Sequence, residues 1–263
     1  MDLSPFTVFL LDMDGTIYLG DRLFAGTPSF LERLDQTGRH KVFLTNNSSR
    51  NGEAYRRKLR RLGLKARPGE IFTSGDATIL ALLAEQPGAS VFLLGTPSLK
   101  RSFIQAGFHL WQEKEGGAPD YLVLGFDTTL TYPKLSTACR LAAAGTPYIA
   151  THPDFNCPAP EGFIPDAGSI AAMIEASTGK KPRVVGKPKA GMVDALITRE
   201  GWRREEIVMV GDRLYTDIAL GEAAGIATVL VFSGETGRAQ YEAQDACRAT
   251  WAVEDIGVLT PYL

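Results

Sequence analysis

Nine short apolar runs recur along the chain, separated by longer segments in which apolar residues return every three or four positions. The runs are Thr7–Leu11, Lys41–Leu44, Glu70–Phe72, Ser90–Leu94, Tyr121–Leu124, Tyr148–Ala150, Arg183–Val185, Ile207–Val210 and Ala227–Phe232. Each has the length of a strand, most are rich in β-branched or aromatic residues, and each is closed by Gly, Asp, Thr or Ser. Apolar character on both faces marks strands buried inside a parallel sheet. The intervening segments predict helices over Ser29–Gln36, Glu53–Leu62, Thr78–Ala84, Leu99–Ala106, Leu135–Ala144, Ser169–Ser177, Ala190–Thr198 and Asp217–Ala224. Met173 and Ile174 read as helix core, and His40 and His109 as surface residues. Strand–helix alternation predicts an α/β fold, with ligands at the carboxyl ends of the strands.

Composition narrows the function without naming it. The 263 residues carry 28 basic and 30 acidic side chains, a net charge of −2. Such balance gives no general attraction to nucleic acid or an anionic membrane. The basic run Arg56–Arg61 therefore reads as a solvated helix face. Cys139, Cys157 and Cys247 are far apart and odd in number, which argues against a disulfide framework or a zinc site and for a reducing cytoplasm. Val8–Leu11 is too short for a signal-peptide core, and no stretch approaches the roughly 18 apolar residues of a membrane span.

Four strand ends carry the candidate chemistry. In Leu10-Leu11-Asp12-Met13-Asp14-Gly15-Thr16, two carboxylates two residues apart follow a buried strand, and alternation points them the same way. Such a pair needs a cation or a proton to offset its repulsion, and a hard ion such as Mg²⁺ suits oxygen donors. Phe43-Leu44 runs into Thr45-Asn46-Asn47-Ser48-Ser49, whose hydroxyls, amides and backbone N–H groups can cradle phosphate oxygens or cap the following helix. Val185-Gly186-Lys187-Pro188 fixes a lysine between two residues that restrict the backbone. Its ammonium can neutralise phosphate and separate carboxylates. Val210-Gly211-Asp212 offers a further metal ligand, and Asp217, five residues on, stands where a helix would start, as N-cap or as orienter of metal-bound water.

In this order the four motifs resemble those of the haloacid dehalogenase superfamily, from Phe9 to Gly234. The resemblance implies that Asp12 is the nucleophile that becomes an aspartyl-phosphate and Asp14 the general acid and base. It implies that Thr45, Asn46 and Lys187 bind phosphate, and that Asp12, the backbone carbonyl of Asp14, and Asp212 hold Mg²⁺. Asp14 sets the chain apart from the true dehalogenases, which lack that aspartate. The stretch between Thr16 and the second strand is short and reads as a flap. The stretch between Asp76 and Lys187 is long enough for a domain and looks like a class-2 cap. There Leu124–Tyr132, Ala150–Asp154 and Gly168-Ser169-Ile170 are similar to the NagD-like, 4-nitrophenylphosphatase-like branch, although His152 stands where that branch usually has Asn.

The resulting expectation is a doubly wound core over 1–76 and 184–263 with a smaller α/β cap inserted at 77–183. The activity it implies is Mg²⁺-dependent hydrolysis of a small phosphorylated metabolite, with no nucleic-acid or membrane partner and with any homodimer formed through the cap. Phosphoryl transfer to a small acceptor, or a phospho-aspartate signalling module without turnover, would use the same residues. The loop Thr151–Gly168 is rich in Pro, Gly and polar residues and includes Pro153, Pro158, Pro160 and Pro165. Its His152 and Asp154 are the candidate specificity residues, facing the leaving group.

Overall fold

Val8–Leu11, Lys41–Leu44, Ile207–Gly211 and Thr228–Val231 are buried at every position, so each must lie within a sheet covered on both faces. The computed structural model, which describes residues 1–159, 161–243 and 246–263, places them there. The chain divides into two units. The first comprises Met1–Thr45, Gly52–Phe72 and Lys187–Leu263, and the second Asn46–Asn51 and Thr73–Gly186. Among the described residues no helix is long and apolar enough to cross a membrane.

The six-stranded sheet runs in the order Trp251–Val253, Ala227–Val231, Ile207–Gly211, Val8–Asp12, His40–Thr45, Ile71–Thr73. Val8–Asp12 is parallel to both neighbours, with Leu11 opposite Val210 on one side and Asp12 opposite Leu44 on the other. From this central strand the chain builds outward to one edge, and after residue 186 it builds to the other. A doubly wound sheet has its ligand crevice where strand order reverses, at the carboxyl ends of the strands. Asp12 and Asp212 stand there. Beneath them Phe9, Leu11, Val208, Val210, Val229 and Val231 form one core with Phe30, Leu31 and Leu34 of the helix Thr27–Gln36. The Phe9 and Phe30 rings meet edge to face, 6.0 Å between centroids.

The second unit has its own parallel sheet, ordered Arg183–Val184, Tyr148–Ala150, Tyr121–Leu124, Ser90–Leu94, His109–Leu110. Leu94, Leu122, Leu124 and Ala150 pack with Ala138 and Leu141 of the helix Tyr132–Ala143 and with Ile170 and Ile174 of the helix Ala167–Thr178.

All nine apolar runs contain strands. The strands without a sequence signal are short or half-exposed. Trp251–Val253 lies at the sheet edge with every residue partly exposed, and His109–Leu110 has two residues, too few for a period. The stretch after Thr16 forms a small hairpin, Tyr18–Leu19 with Arg22–Leu23. The segment expected as the loop Thr151–Gly168 contains an antiparallel hairpin, Asn156–Ala159 with Gly162–Pro165. Its solvent-facing second strand is apolar enough to mask any alternation, and Pro160 lies outside the described residues. Met173, expected in the core, is 43% exposed, whereas its neighbour Ile174 is fully buried.

Phe30→Ala should lower the unfolding free energy by about 3–5 kcal/mol, because it opens a cavity under the central strand. Urea denaturation followed by circular dichroism checks this, and a change below about 1 kcal/mol would contradict the assigned packing.

Candidate active site

The end of the central strand turns sharply at Gly15, where φ is +92°, a conformation that side chains with a Cβ rarely adopt. Asp12 and Asp14 flank the start of this turn. Lys187, 96% buried at its side chain, donates one hydrogen bond to Asp12 Oδ1 and another to Asp217 Oδ1 at 2.7 Å. The second oxygen of Asp217 accepts the Arg213 backbone N–H at 3.1 Å. Carboxylate oxygens of Asp12, Asp212 and Asp217 all lie within 4.8 Å of one another.

This crowding shapes the titration of each group. Burial raises the Asp12 carboxyl well above its ordinary range; Lys187 opposes that shift, and Asp217 and Asp212 add to it. Burial, reinforced by Asp217, pushes Asp212 up to about 6. Burial alone would lower the Lys187 ammonium, but Asp12 and Asp217 outweigh it and raise it. Burial likewise works against the Arg213 guanidinium, and Asp12 and Asp212 override it.

Asp212 is gripped from two sides. Its Oδ2 accepts the Glu235 backbone N–H at 2.7 Å. A Cβ added at Gly15 would lie 2.4 Å from that oxygen, and one at Gly234 would lie 2.1 Å from it. Only glycine admits the carboxylate at either place. Its Oδ1 is buried with no hydrogen-bond partner. A buried carboxylate oxygen left unpaired is costly unless a cation meets it. The three-carboxylate oxygen set suits a hard divalent ion such as Mg²⁺ rather than a softer metal. The side chain of Asp14 is outside this cluster; only its backbone carbonyl was expected to ligate.

Asp14 keeps an exposed edge. Partial desolvation raises its pKa, while the Lys58 ammonium, the Gly20 N–H and the Arg213 guanidinium hold it down. Lys58 itself lies 3.9 Å above the Tyr18 ring. Thr45 ends the strand His40–Thr45 in the first unit. Asn46, the next residue, belongs to the second unit, where its Nδ2 donates to both carboxylate oxygens of Asp154, at 3.1 and 3.2 Å.

The structure adds detail to two sequence expectations. Asp217 is not the N-cap of its helix. The helix opens with a wide π-type turn over Leu214–Ile218, so Asp217 lies inside that turn and binds back to the N–H of Arg213. His152, expected to face the leaving group, is enclosed. It is fully buried, and both ring nitrogens have partners: Nε2 with Asp166 Oδ1 at 2.8 Å, Nδ1 with Thr151 Oγ1 at 2.8 Å. The sequence pattern missed Gly234 and the Glu235 N–H as supports of Asp212. The available signal was a Ser-Gly pair directly after an apolar strand.

Strand-end aspartates around a buried lysine, on a doubly wound sheet, define a phosphoryl-handling α/β hydrolase. Comparison with known proteins gives the family. Residues 9–109 match the model of the haloacid dehalogenase-like hydrolases, and residues 184–259 match a second, HAD-hydrolase-like model. An acid sugar phosphatase of Staphylococcus aureus is 34% identical over 232 residues, 88% of each chain. Among solved structures, a 4-nitrophenylphosphatase from Thermotoga maritima is 46% identical, with a TM-score of 0.93 over 98% of both chains. A p-nitrophenyl phosphatase from Archaeoglobus fulgidus is 28% identical, with a TM-score of 0.91 over 98% of this chain and 99% of that one. The chain belongs to the haloacid dehalogenase-like hydrolases, as a phosphatase of their NagD and 4-nitrophenylphosphatase type.

Gly234→Ala should displace the Asp212 carboxylate and reduce phosphatase activity at least about tenfold, the equivalent of one lost hydrogen bond at the site. Circular dichroism should be unchanged. Wild-type activity in this variant would show that the grip on Asp212 does not matter.

Proposed function

We propose that the chain hydrolyses small phosphate monoesters in two displacements, with Asp12 as nucleophile and Mg²⁺ as resident ion. The single observation that carries this reading is the orphaned Oδ1 of Asp212 beside Asp12 and Lys187. Asp12, Asp212 and the backbone carbonyl of Asp14 would hold the ion. When bound, it supplies positive charge that lets crowded carboxylates ionise and draws density from the transferring phosphoryl group.

The protein's own groups account for the remaining steps. A carboxylate oxygen of Asp12 attacks phosphorus, and the ester oxygen leaves with a proton from Asp14, forming an acyl phosphate on Asp12. Asp14, now a carboxylate, takes a proton from water as the water oxygen attacks the same phosphorus, and Asp12 is released. The raised pKa of Asp14 suits both roles, since it stays protonated nearer neutrality than an ordinary aspartate. Lys187 and the Thr45–Asn46 turn hold the equatorial oxygens. Lys187 also keeps Asp12 from turning away, since its second bond to Asp217 fixes the ammonium. The relatives' names, an acid sugar phosphatase and nitrophenylphosphatases, support a small sugar phosphate or aryl phosphate as substrate.

Asp12→Asn should keep the fold and lower turnover by about 10³-fold or more, since an amide matches the shape but is a poor nucleophile. Phosphate release from the purified variant measures this, and near wild-type release would refute the nucleophile assignment.

Excess chelator should abolish activity and added Mg²⁺ restore it, with Ca²⁺ a poor substitute because it takes more ligands at longer distances. Asp212→Ala should raise the Mg²⁺ concentration needed. Full activity in chelator would remove the metal from the account.

A further inference from the structure

The second unit contains a buried polar hub outside the residues given chemical roles above. His152, Thr151, Ser48 and Ser74 are all fully buried, and Asp166 is 3% exposed. Asp166 Oδ1 accepts the Ala167 N–H at 2.6 Å as N-cap of the helix Ala167–Thr178, and faces His152 Nε2 at 2.8 Å. A carboxylate only accepts, so Nε2 carries the proton, and in the neutral ring Nδ1 is the acceptor. Thr151 Oγ1 donates to it. The Ser48 hydroxyl can then donate to Thr151 Oγ1 across 3.0 Å while accepting the Phe126 backbone N–H at 2.9 Å. Ser74 Oγ lies 3.4 Å from the same nitrogen, but its one proton goes to the backbone carbonyl of Asn46, so it does not donate to the ring. Two residues after His152, Asp154 accepts the Asn46 side-chain amide.

Within the segment 46–51, Ser48 and Asn46 take these links, from Thr151, Phe126, Ser74 and Asp154. Burying so many polar side chains is expensive where an apolar core would serve, and it is repaid chiefly in fixed geometry. The next residue back from that segment is Thr45. We propose that His152, held by Asp166, is a positioning residue: through Thr151 it fixes Ser48, and with it the turn that begins at Asn46, for phosphate binding, and it does not touch substrate. This rests on reading the Thr45–Asn46 turn as a phosphate holder.

The test is steady-state kinetics with 4-nitrophenyl phosphate and with a sugar phosphate, together with competitive inhibition by inorganic phosphate. The variants are His152→Gln, which retains an amide to face Asp166 but loses the Nδ1 acceptor, and Thr151→Val, which removes the hydroxyl that links the ring to Ser48. Both should raise KM for the two esters, and Ki for phosphate, by one common factor of about three- to tenfold, the range of one hydrogen bond. kcat should stay within about twofold. A change of substrate ranking at unchanged phosphate Ki would overturn the proposal in favour of direct leaving-group contact. An unchanged Ki in both variants would overturn it outright. If His152→Gln does not fold, Thr151→Val decides alone. Thr45→Ala, run alongside, separates the two readings. If it raises Ki while Thr151→Val does not, only the positioning role of His152 fails. If Thr45→Ala also leaves Ki unchanged, the phosphate-turn reading fails.

Discussion

Three carboxylates crowded within 4.8 Å of one another, with a single buried ammonium bonded to two of them, set the terms for the rest of the first unit. At an effective dielectric of about 20, two such charges about 4 Å apart repel by about 4 kcal/mol. Lys187 bridges Asp12 and Asp217, leaving Asp212 with the Glu235 N–H and one unsatisfied oxygen. Burial first, and then repulsion from the neighbouring carboxylates, holds Asp12 and Asp212 above the ordinary carboxylate range. On the proposed mechanism, a divalent cation would supply the missing charge. Stability and function pull in opposite directions here, and the surrounding sheet must hold what the charges alone would push apart.

The scaffold does so with backbone. Asp12 and Asp212 leave adjacent parallel strands whose register is fixed by packing on both faces, so neither carboxylate can move without shifting a buried strand. Glycines at 15 and 234 let the chain close against Asp212 from both sides. The wide turn at Leu214–Ile218 returns Asp217 to the lysine, a use of extra helical slack seen often at functional sites. The second unit answers a related problem with polar side chains, holding the segment after Thr45 by hydroxyls, an imidazole and two aspartates.

How much of this was legible depended on what each residue's neighbours were. Buried parallel strands announce themselves as short apolar runs, so both sheets could be read except for Trp251–Val253 and His109–Leu110, which lack a run to read. Asp12, Asp14, Lys187 and Asp212 stood out because charged residues directly after apolar strands are rare without a reason. Gly234 did not, since glycine after a strand is ordinary, and only the 2.1 Å approach to Asp212 gives it meaning. Nor could local sequence tell that Asn46–Asn51 would group with residues beyond Thr73, because that follows from contacts about 100 positions away. His152 looked like a loop residue because proline follows it; its burial is a property of the sheet end it sits on.

The claim at the centre of this account is that phosphorus is attacked twice, first by Asp12 and then by an acceptor oxygen. Each in-line displacement inverts configuration, so two give net retention. The direct measurement is the stereochemical course of phosphoryl transfer from an isotopically chiral phosphate monoester to an alcohol acceptor, read by ³¹P NMR. Net retention is the predicted result. Net inversion would mean a single displacement by the acceptor itself, and Asp12 would then not be the nucleophile.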